Sequence, residues 1–303
     1  MNIWRWIFAG MLTTPPKRGS KRLLSAVTTV NTKKRILNET KDDQGAFHSS
    51  DWKLEDACEH LMSVDARFIP VIKEYGQQTF YSKRDSSCYK NHFYELTKII
   101  VFQQLSGSIA DKIFNRVLAA LWETSVENIV EEKMLGSSLT PDHVLNAKIE
   151  IVIIQGKKKV IINGKETGLS ESKSKYMVSL AQHFNDPSCL KGVALDTLDD
   201  ETLERKLVAV KGLGTWSVHM FMIFHLRRAN VLATGDLGVR NGITEFLGLP
   251  KKSLEGNNNN TQQRIQNLCA AWSPYSSLAC CFMWKLADAA KGKNTKIVLP
   301  VDA

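Results

Sequence analysis

The segment from Leu207 to Arg240 limits the possible folds of this chain more than any other. The helical run Leu207–Val210 is followed by the tight turn Gly212–Gly214, and a second, strongly apolar helix opens at Thr215. The two glycines permit positive φ angles and a close approach of neighbouring groups to the backbone. Asp236 then stands at the start of a third predicted helix. The pattern indicates two helices joined at a glycine turn, with an acid at a fixed distance along the chain.

Helical periodicity also dominates the rest of the chain. We predict helices at 92–102, 108–122, 172–184, 200–210, 215–228, 237–247, 262–271 and 275–291. Apolar residues at helical spacing also follow Asp51, with a break expected at Pro70. Residues 149–165 differ, because two β-branched runs flank Gly156, which is typical of a β-hairpin. The sequence therefore predicts an all-α fold of two helical lobes with a small β-hairpin insertion, spanning residues 51–303.

The charge of the chain is concentrated near its N-terminus. The 303 residues carry a formal net charge of +9, which favours an anionic partner, and residues 1–50 hold nine Lys and Arg against three Asp and Glu. The basic clusters Lys17–Arg22 and Lys33–Arg35 resemble a bipartite nuclear import signal, while the composition behind Trp4–Phe8 also resembles a mitochondrial presequence. A solvated tail that adds non-specific affinity for nucleic acid is a third interpretation. We expect nuclear import, with mitochondrial import as the alternative.

The cysteines do not indicate a bound metal. There are six of them, but no CxxC pair and no histidine at zinc-ligand spacing from them. Neither a zinc site nor an iron–sulfur cluster is predicted, and most of these thiols are expected to be small core residues. No apolar run is long enough to span a membrane. We therefore expect neither a small-molecule cofactor nor a membrane partner.

The groups expected at the glycine turn could bind an anion. The amides of Gly212, Gly214 and Thr215 would point outward at a helix N-terminus, where unpaired N–H groups and the helix dipole favour a phosphate. The hydroxyls of Thr215 and Ser217 could donate to the same phosphate. The alternative is a glycine turn between two helices with no ligand, which is common.

Five blocks of sequence together carry a resemblance to a known family. In chain order they are Phe102–Gly107, Gly168–Ser170 with Lys173 and Lys175, Val210–Ser217, Thr234–Gly238, and Trp272–Tyr275. They resemble the helix–hairpin–helix superfamily of DNA glycosylases, and within it the yeast-type DNA-3-methyladenine glycosylase II branch. The blocks occur in the family's order and cover roughly residues 51 to 291. The glycine turn then corresponds to the hairpin of the helix–hairpin–helix motif.

The resemblance implies that Asp236 is the catalytic residue. A fixed carboxylate beside a sugar stabilises the oxocarbenium character that develops when an N-glycosidic bond breaks, and it can orient the attacking water. The simpler interpretation is that Asp236 caps a helix, and the two roles are compatible. In family members that also cut the strand, a lysine nucleophile follows the second glycine by two residues. Trp216 stands there, so no Schiff base can form and a monofunctional enzyme is expected.

Further site residues are implied by the same resemblance. Trp216, Trp284 and Met220 would form the pocket for the damaged base, although the tryptophans could equally be core residues. The DNA-contacting loop would consist of Gln103, Gln104, Ser106 and Gly107, with Gln104 as the wedge that enters the gap in the stack. That loop could also be a polar turn capped by Ser106. A Na⁺ or K⁺ ion held by the backbone carbonyls of Val208, Val210 and Leu213 is implied in the same way.

The function expected from these residues is release of alkylated purines, 3-methyladenine and 7-methylguanine, from double-stranded DNA by a monomer. Two alternatives stay open: a non-catalytic DNA-structure binder, and a glycosylase for oxidised or mismatched bases. Relatives often have Arg where Ser276 stands, so one phosphate contact is in doubt. Lys157–Lys159 in the predicted β-hairpin could touch DNA, but a solvated turn is the simpler interpretation.

Overall fold

The computed structural model describes residues 52–76, 91–129, 138–256 and 258–292, so the predicted tail at residues 1–50 lies outside the described residues. The α-helices in the described part are α1 Leu54–Val64, α2 Phe68–Tyr75, α3 His92–Phe102, α4 Gly107–Leu121, α5 Pro141–Leu145, α6 Glu171–Asn185, α7 Asp200–Val208, α8 Thr215–Met220, α9 Leu237–Phe246, α10 Asn259–Leu268 and α11 Ser276–Ala289. The strands are β1 Ile149–Ile154, β2 Lys157–Ile162 and β3 Lys165–Glu166. The prediction of a helical fold with a small β insertion is confirmed.

Polar side chains begin many of these helices and explain why their starts could be read from sequence. The side chains of Asn91, Ser170, Asp199, Asp236 and Asn258 each accept a hydrogen bond from the backbone N–H three residues later. Each of these bonds satisfies one of the N–H groups that a helix leaves unpaired in its first turn. The predicted starts of these helices therefore agree with the observed starts to within a few residues.

The predicted break at Pro70 is wrong. Pro70 lies inside the first turn of α2, and the break falls before it, where Asp65 ends α1 and Arg67 precedes Phe68. A proline in the first turn of a helix removes an N–H that would have no intrahelical partner, so it costs little there. Helix α5 and strand β3 were not predicted.

The helix predicted at 215–228 is shorter and changes character midway. Helix α8 passes directly into a π-helical segment, Phe221–His225, and the helical backbone ends at Leu226. A π segment widens a helix locally and is often found at functional sites. It has no signature in the hydrophobic pattern, because the same apolar residues would fit an α-helix.

The β insertion is a meander of three antiparallel strands rather than a two-stranded hairpin. Strand β1 pairs with β2 in the register Ile149↔Ile162, and β2 pairs with β3 in the register Ile162↔Lys165. The inward-facing side chains of β2, Val160 and Ile162, are buried, whereas Ile153 on β1 is 73% exposed. The insertion therefore packs onto the helices mainly through β2.

The described residues between 91 and 226 form one compact unit. Helix α3 packs against both α4 and α6, and its aromatic side chains supply the core. Phe93 meets Phe184 edge to face at 5.4 Å between ring centroids, and Tyr94 meets Phe114 at 5.3 Å. This unit contains the glycine turn and the loop at Gln103.

Residues 52–76 and the described residues between 227 and 292 form the second compact unit. Helix α9 packs along α11, and α2 contributes Phe68 to an aromatic cluster with Phe246 and Trp272. Trp272 is fully buried in this cluster. This unit contains Asp236.

The described cysteines form no disulfide, and four of the five are buried. Burial raises the pKa values of the Cys58 and Cys280 thiols to about 12, as expected of inert core residues. Within the described ranges, no group of His, Cys, Asp and Glu side chains could hold a metal ion. In the same part of the chain, no helix has the length and apolar character that crossing a bilayer requires.

Candidate active site

Asp236 lies at the N-terminus of α9, where two donors meet one of its carboxylate oxygens. Oδ1 accepts the backbone N–H of Val239 at 2.8 Å and the indole N–H of Trp284 at 2.8 Å. The side chain is buried, with 4% of its residue surface exposed. Asp236 is therefore a helix cap, as the simpler interpretation held, and a carboxylate of fixed orientation as well.

The residue at position 238 controls the contact between Asp236 and Trp284. A Cβ atom on Gly238 would lie 2.8 Å from Cδ1 of the Trp284 ring and 3.0 Å from Oδ1 of Asp236. Both distances are too short for a side chain, so glycine leaves the space through which the indole reaches the carboxylate. The sequence signal for this close contact was Gly238 itself, because the first turn of a helix does not otherwise require a small residue.

Arg240 holds the backbone that leads into Asp236. Its Nη1 donates to the carbonyls of Thr234 at 3.2 Å and Gly235 at 3.0 Å, and the guanidinium is buried. Burial lowers the pKa of Arg240, and the charge of Asp236 acts in the opposite direction. Sequence reasoning missed this residue, although its position four residues after an acid on a helix is the spacing of side-chain pairs.

Of the two glycines expected to permit a positive φ, Gly212 adopts one, whereas Gly214 has φ −103°. Gly212 has φ +95°, and a Cβ atom there would overlap the ring of Tyr176 on α6, so this position admits glycine alone. Leu213 N–H donates to the carbonyl of Val210 at 3.0 Å and closes the turn. Gly214 precedes the first residue of α8, Thr215, and both are exposed. The first-turn amides of α8 therefore begin at the surface.

Gln103 connects the loop after α3 to the glycine turn. Its side-chain amide donates to the carbonyl of Gly212 at 2.8 Å and to the hydroxyl of Ser217 at 3.1 Å. Ser217 is buried, so its hydroxyl supports the hairpin from within. The structure thus brings together three residues that had been predicted separately to contact DNA.

The other loop residues differ in their exposure. Gln104 is exposed and has φ +57°, a left-handed conformation that residues other than glycine seldom adopt. Ser106 occupies the N-cap position of α4, as the interpretation of this loop as a turn between helices held, but its side chain makes no capping hydrogen bond. Gly107 is the buried first residue of α4.

The residues predicted for the base pocket lie in both compact units. Trp216 and Met220 belong to residues 91–226, where Trp216 is partly exposed and Met220 is buried. Trp284 belongs to the second unit and is 2% exposed. The indole N–H of Trp284 donates to Asp236, and stacking on a base stays a prediction for all three residues.

The carbonyls predicted to hold a monovalent cation lie around the start of the turn. Val210 and Leu213 are buried, Val208 is 42% exposed, and the Val210 carbonyl already accepts the Leu213 N–H. A carbonyl oxygen has a second lone pair, so this bond leaves room for a cation. The cation stays a prediction.

Comparison with known proteins gives relatives of one kind, although no family model matches the chain. It is 28% identical over 259 residues to the DNA-3-methyladenine glycosylase of Saccharomyces cerevisiae, covering 78% of this chain and 80% of the relative. It is 26% identical over 240 residues to DNA-3-methyladenine glycosylase 1 of Schizosaccharomyces pombe, covering 78% of this chain and 90% of the relative.

A solved structure has the same fold. The 3-methyladenine DNA glycosylase of Schizosaccharomyces pombe, in complex with abasic DNA, superposes with a TM-score of 0.56 and 23% identity. The match covers 80% of this chain and 99% of that one. The chain is thus similar in sequence to DNA-3-methyladenine glycosylases, as its motifs predicted, and shares the fold of a solved one.

Proposed function

We propose that this chain is a monofunctional DNA glycosylase of base excision repair. It takes 3-methyladenine and 7-methylguanine out of double-stranded DNA and hydrolyses the N-glycosidic bond, which leaves an abasic site. The observation that carries the proposal is the Asp236 carboxylate, buried and oriented by two N–H donors. The relatives named as DNA-3-methyladenine glycosylases support the choice of substrate.

Asp236 acts on the sugar side of the reaction. As the bond from C1′ to the base breaks, its electrons leave with the base and positive charge develops on the sugar. A carboxylate held in place stabilises that charge without reorganisation, and more strongly in a buried site than in water. Water then adds at C1′ and releases a proton, which Asp236 can accept. The donors from Val239 and Trp284 fix one oxygen and so set the direction of the carboxylate.

The damaged base contributes much of the driving force. Alkylation at a ring nitrogen makes the purine cationic, so it leaves as a neutral base and stacks well on an indole ring. Trp216, partly exposed near the start of α8, is the residue proposed for this contact, with Met220 and Trp284 as further pocket residues. Because Trp216 stands where strand-cutting relatives have lysine, the reaction ends at the abasic site.

The hairpin and the loop are proposed to hold the DNA. The amides at Gly212, Gly214 and Thr215 would receive a backbone phosphate, as helix N-termini do. Gln104 would fill the gap left by the extruded nucleotide. A Na⁺ or K⁺ ion at the carbonyls of Val208, Val210 and Leu213 would add positive charge near that phosphate.

The decisive test is base release from methylated duplex DNA by the wild type and Asp236→Asn. Asparagine is also a good helix cap, so the variant should fold, but it lacks the charge. We expect its rate to fall by at least about a hundredfold, the usual effect of removing one electrostatic stabiliser. Asp199→Asn is the matched control, because Asp199 caps α7 in the same way and is exposed.

Each alternative function has a distinct result. If the wild type binds abasic-site DNA but releases no base, the chain is a DNA-structure binder. If it releases 8-oxoguanine or thymine glycol instead of methylated purines, it is an oxidised-base glycosylase. Equal rates for wild type and Asp236→Asn would remove Asp236 from the mechanism.

We also propose that the chain acts as a monomer and enters the nucleus through its basic tail. Light scattering of the purified chain tests the first statement. Imaging of a fluorescent fusion, with and without Lys33–Arg35, tests the second and distinguishes nuclear from mitochondrial import.

A further inference from the structure

Helix α6 touches both of the segments proposed to contact DNA. Lys173, in its first turn, donates from Nζ to the carbonyls of Val101 at 2.7 Å and Gln103 at 2.6 Å, at the end of α3. Tyr176, three residues further along α6, packs under Gly212 in the glycine turn. The two residues lie on neighbouring positions of one helix face. Neither has a place in the mechanism described so far.

The contacts of Lys173 account for carbonyls that α3 leaves unpaired at its end. The last turn of a helix has no N–H partners of its own for these groups. Here the Ile99 carbonyl accepts Gln103 N–H, the Phe102 carbonyl accepts Leu105 N–H, and Lys173 supplies the partner for Val101 and Gln103. A cation at a helix C-terminus is also favoured by the helix dipole.

These bonds fix the backbone on both sides of Gln104. The peptide group before Gln104 is held through the Gln103 carbonyl, and the one after it through Leu105 N–H. Gln104 itself has φ +57°, a conformation that is unfavourable for a residue with a Cβ atom and that its surroundings must stabilise. The ammonium of Lys173 is one of those surroundings.

The loop is also tied to the glycine turn by the side chain of Gln103, through the Gly212 carbonyl and the Ser217 hydroxyl. The chain of contacts therefore runs from Lys173 to the Gln103 carbonyl, through the Gln103 side chain, and on to Gly212, which rests on Tyr176. It begins and ends on α6.

We infer that α6 is a platform that sets the position of the Gln104 loop relative to the glycine turn, with Lys173 as the positioning residue that holds Gln104 in its left-handed conformation. The inference rests on the proposed function, because it assigns the loop and the turn to DNA. Burial lowers the pKa of Lys173 to about 8, so a charge at this position is costly and the two carbonyls offset that cost.

The test compares Lys173→Met with Lys165→Met. Lys165 is a matched control, because its ammonium also donates to two backbone carbonyls, Ala119 and Thr124, but at the far end of α4. Lys173→Arg restores a charged donor, and Lys173→Gln keeps an uncharged one in case Lys173→Met does not fold. Two quantities are measured on the full chain: amide hydrogen exchange at Leu105 without DNA, and the ratio of Kd values for undamaged and abasic-site duplexes.

Lys173→Met should raise the exchange rate at Leu105 and lower the Kd ratio, each by about tenfold, as expected for loss of a hydrogen bond to a charged group. Lys173→Gln should show smaller changes in the same directions, and Lys173→Arg should restore most of the wild-type values. Lys165→Met should lower the melting temperature and leave both quantities unchanged.

Two results would overturn the inference. One is an unchanged Leu105 exchange rate in Lys173→Met or Lys173→Gln. The other is an equal change in Lys165→Met, which would mean that general loss of stability is the cause. Failure of the proposed function would give a different result. The wild-type chain would then neither prefer abasic-site DNA nor release base, while the exchange rate at Leu105 would still rise in Lys173→Met.

Discussion

A single oxygen atom of Asp236 serves both the helix and the proposed chemistry. Oδ1 caps α9 through Val239 N–H and receives the indole N–H of Trp284 as well. A cap is worth about 1 kcal/mol to a helix, whereas a fixed charge in a buried site can lower a reaction barrier by several kcal/mol. Capping alone explains why an acid or amide stands here, but not why a buried tryptophan donates to it.

We expect Trp284→Phe to separate these two roles. Phenylalanine keeps most of the ring packing but loses the N–H donor, so the carboxylate is less firmly oriented. Base release at saturating DNA should slow by roughly tenfold or more, the effect of removing one hydrogen bond to a charged group. KM should change little, because phenylalanine keeps most of the ring surface that the indole offers to a base.

Trp272→Phe is the control for that measurement. Trp272 is a buried tryptophan in the same unit, packed against Phe68 and Phe246. Its replacement should lower the melting temperature without slowing base release. A Trp284→Phe enzyme as fast as the wild type would mean that the indole N–H has no part in orienting Asp236.

The π segment Phe221–His225 is the element whose chemistry departs most from an ordinary helix. It stacks His225 on Phe221 at 4.9 Å between ring centroids, and places Nε2 of His225 2.8 Å from Nδ1 of His92. Burial, together with the nearby His92 and Lys98, lowers the pKa of His225 to about 3. Burial lowers the pKa of His92 as well, although Asp196 opposes this shift. Both rings are therefore neutral in the folded protein near pH 7.

This element should make the protein less stable in mild acid. An unfolded histidine binds its proton below about pH 6.5, whereas folded His225 stays neutral down to about pH 3. The unfolded state thus binds more protons between these values, and stability falls as the pH decreases through that window. From pH 7 to pH 5, His225 alone should lower the free energy of unfolding by about 2 kcal/mol.

Urea denaturation at pH 7 and pH 5 measures this loss, and His225→Phe should reduce it. The variant keeps an aromatic ring beside Phe221 and removes the buried Nδ1 atom, which has no hydrogen-bond partner among the described residues. If the variant loses as much stability between these pH values as the wild type does, another group is responsible.

At the level of elements, prediction from sequence succeeded where a local signal exists. Asn91 and Asp236 mark helix starts with their own side chains, so α3 and α9 were predicted almost to the residue. The break predicted at Pro70 was wrong because a proline is tolerated in the first turn of a helix. The hydrophobic pattern did not show where that turn began. Strand β3 has two residues, too short to show a period.

At the scale of the whole molecule, charge is divided unevenly. Residues 1–50 carry six of the nine excess positive charges, so the folded part must rely on local geometry to hold DNA. The tail should add affinity for any DNA without changing the reaction.

Replacing the seven tail lysines and arginines of the two clusters by glutamine tests this division of roles. The residues are Lys17, Arg18, Lys21, Arg22, Lys33, Lys34 and Arg35. The dependence of log Kd on log salt concentration for undamaged duplex should become shallower, by at most about 6 if every charge meets a phosphate. The rate of base release at saturating DNA should not change. A slower rate at saturation would mean that the tail takes part in catalysis.

By itself, the sequence determined the helical class, the glycine turn, the acid at a helix start and the relationship to the glycosylases. Caps, turns and hydrophobic periodicity depend on residues that are close together in the sequence, so they can be predicted from it. The five ordered blocks indicate a family without any knowledge of tertiary contacts. Tertiary structure alone decided which side chains support the site. Trp284 reaches Asp236 across 48 positions of sequence, Lys173 reaches the Gln103 carbonyl across 70, and Gln103 reaches Gly212 across 109. Such contacts depend on how whole helices pack against each other, and this packing cannot be predicted from a local sequence pattern.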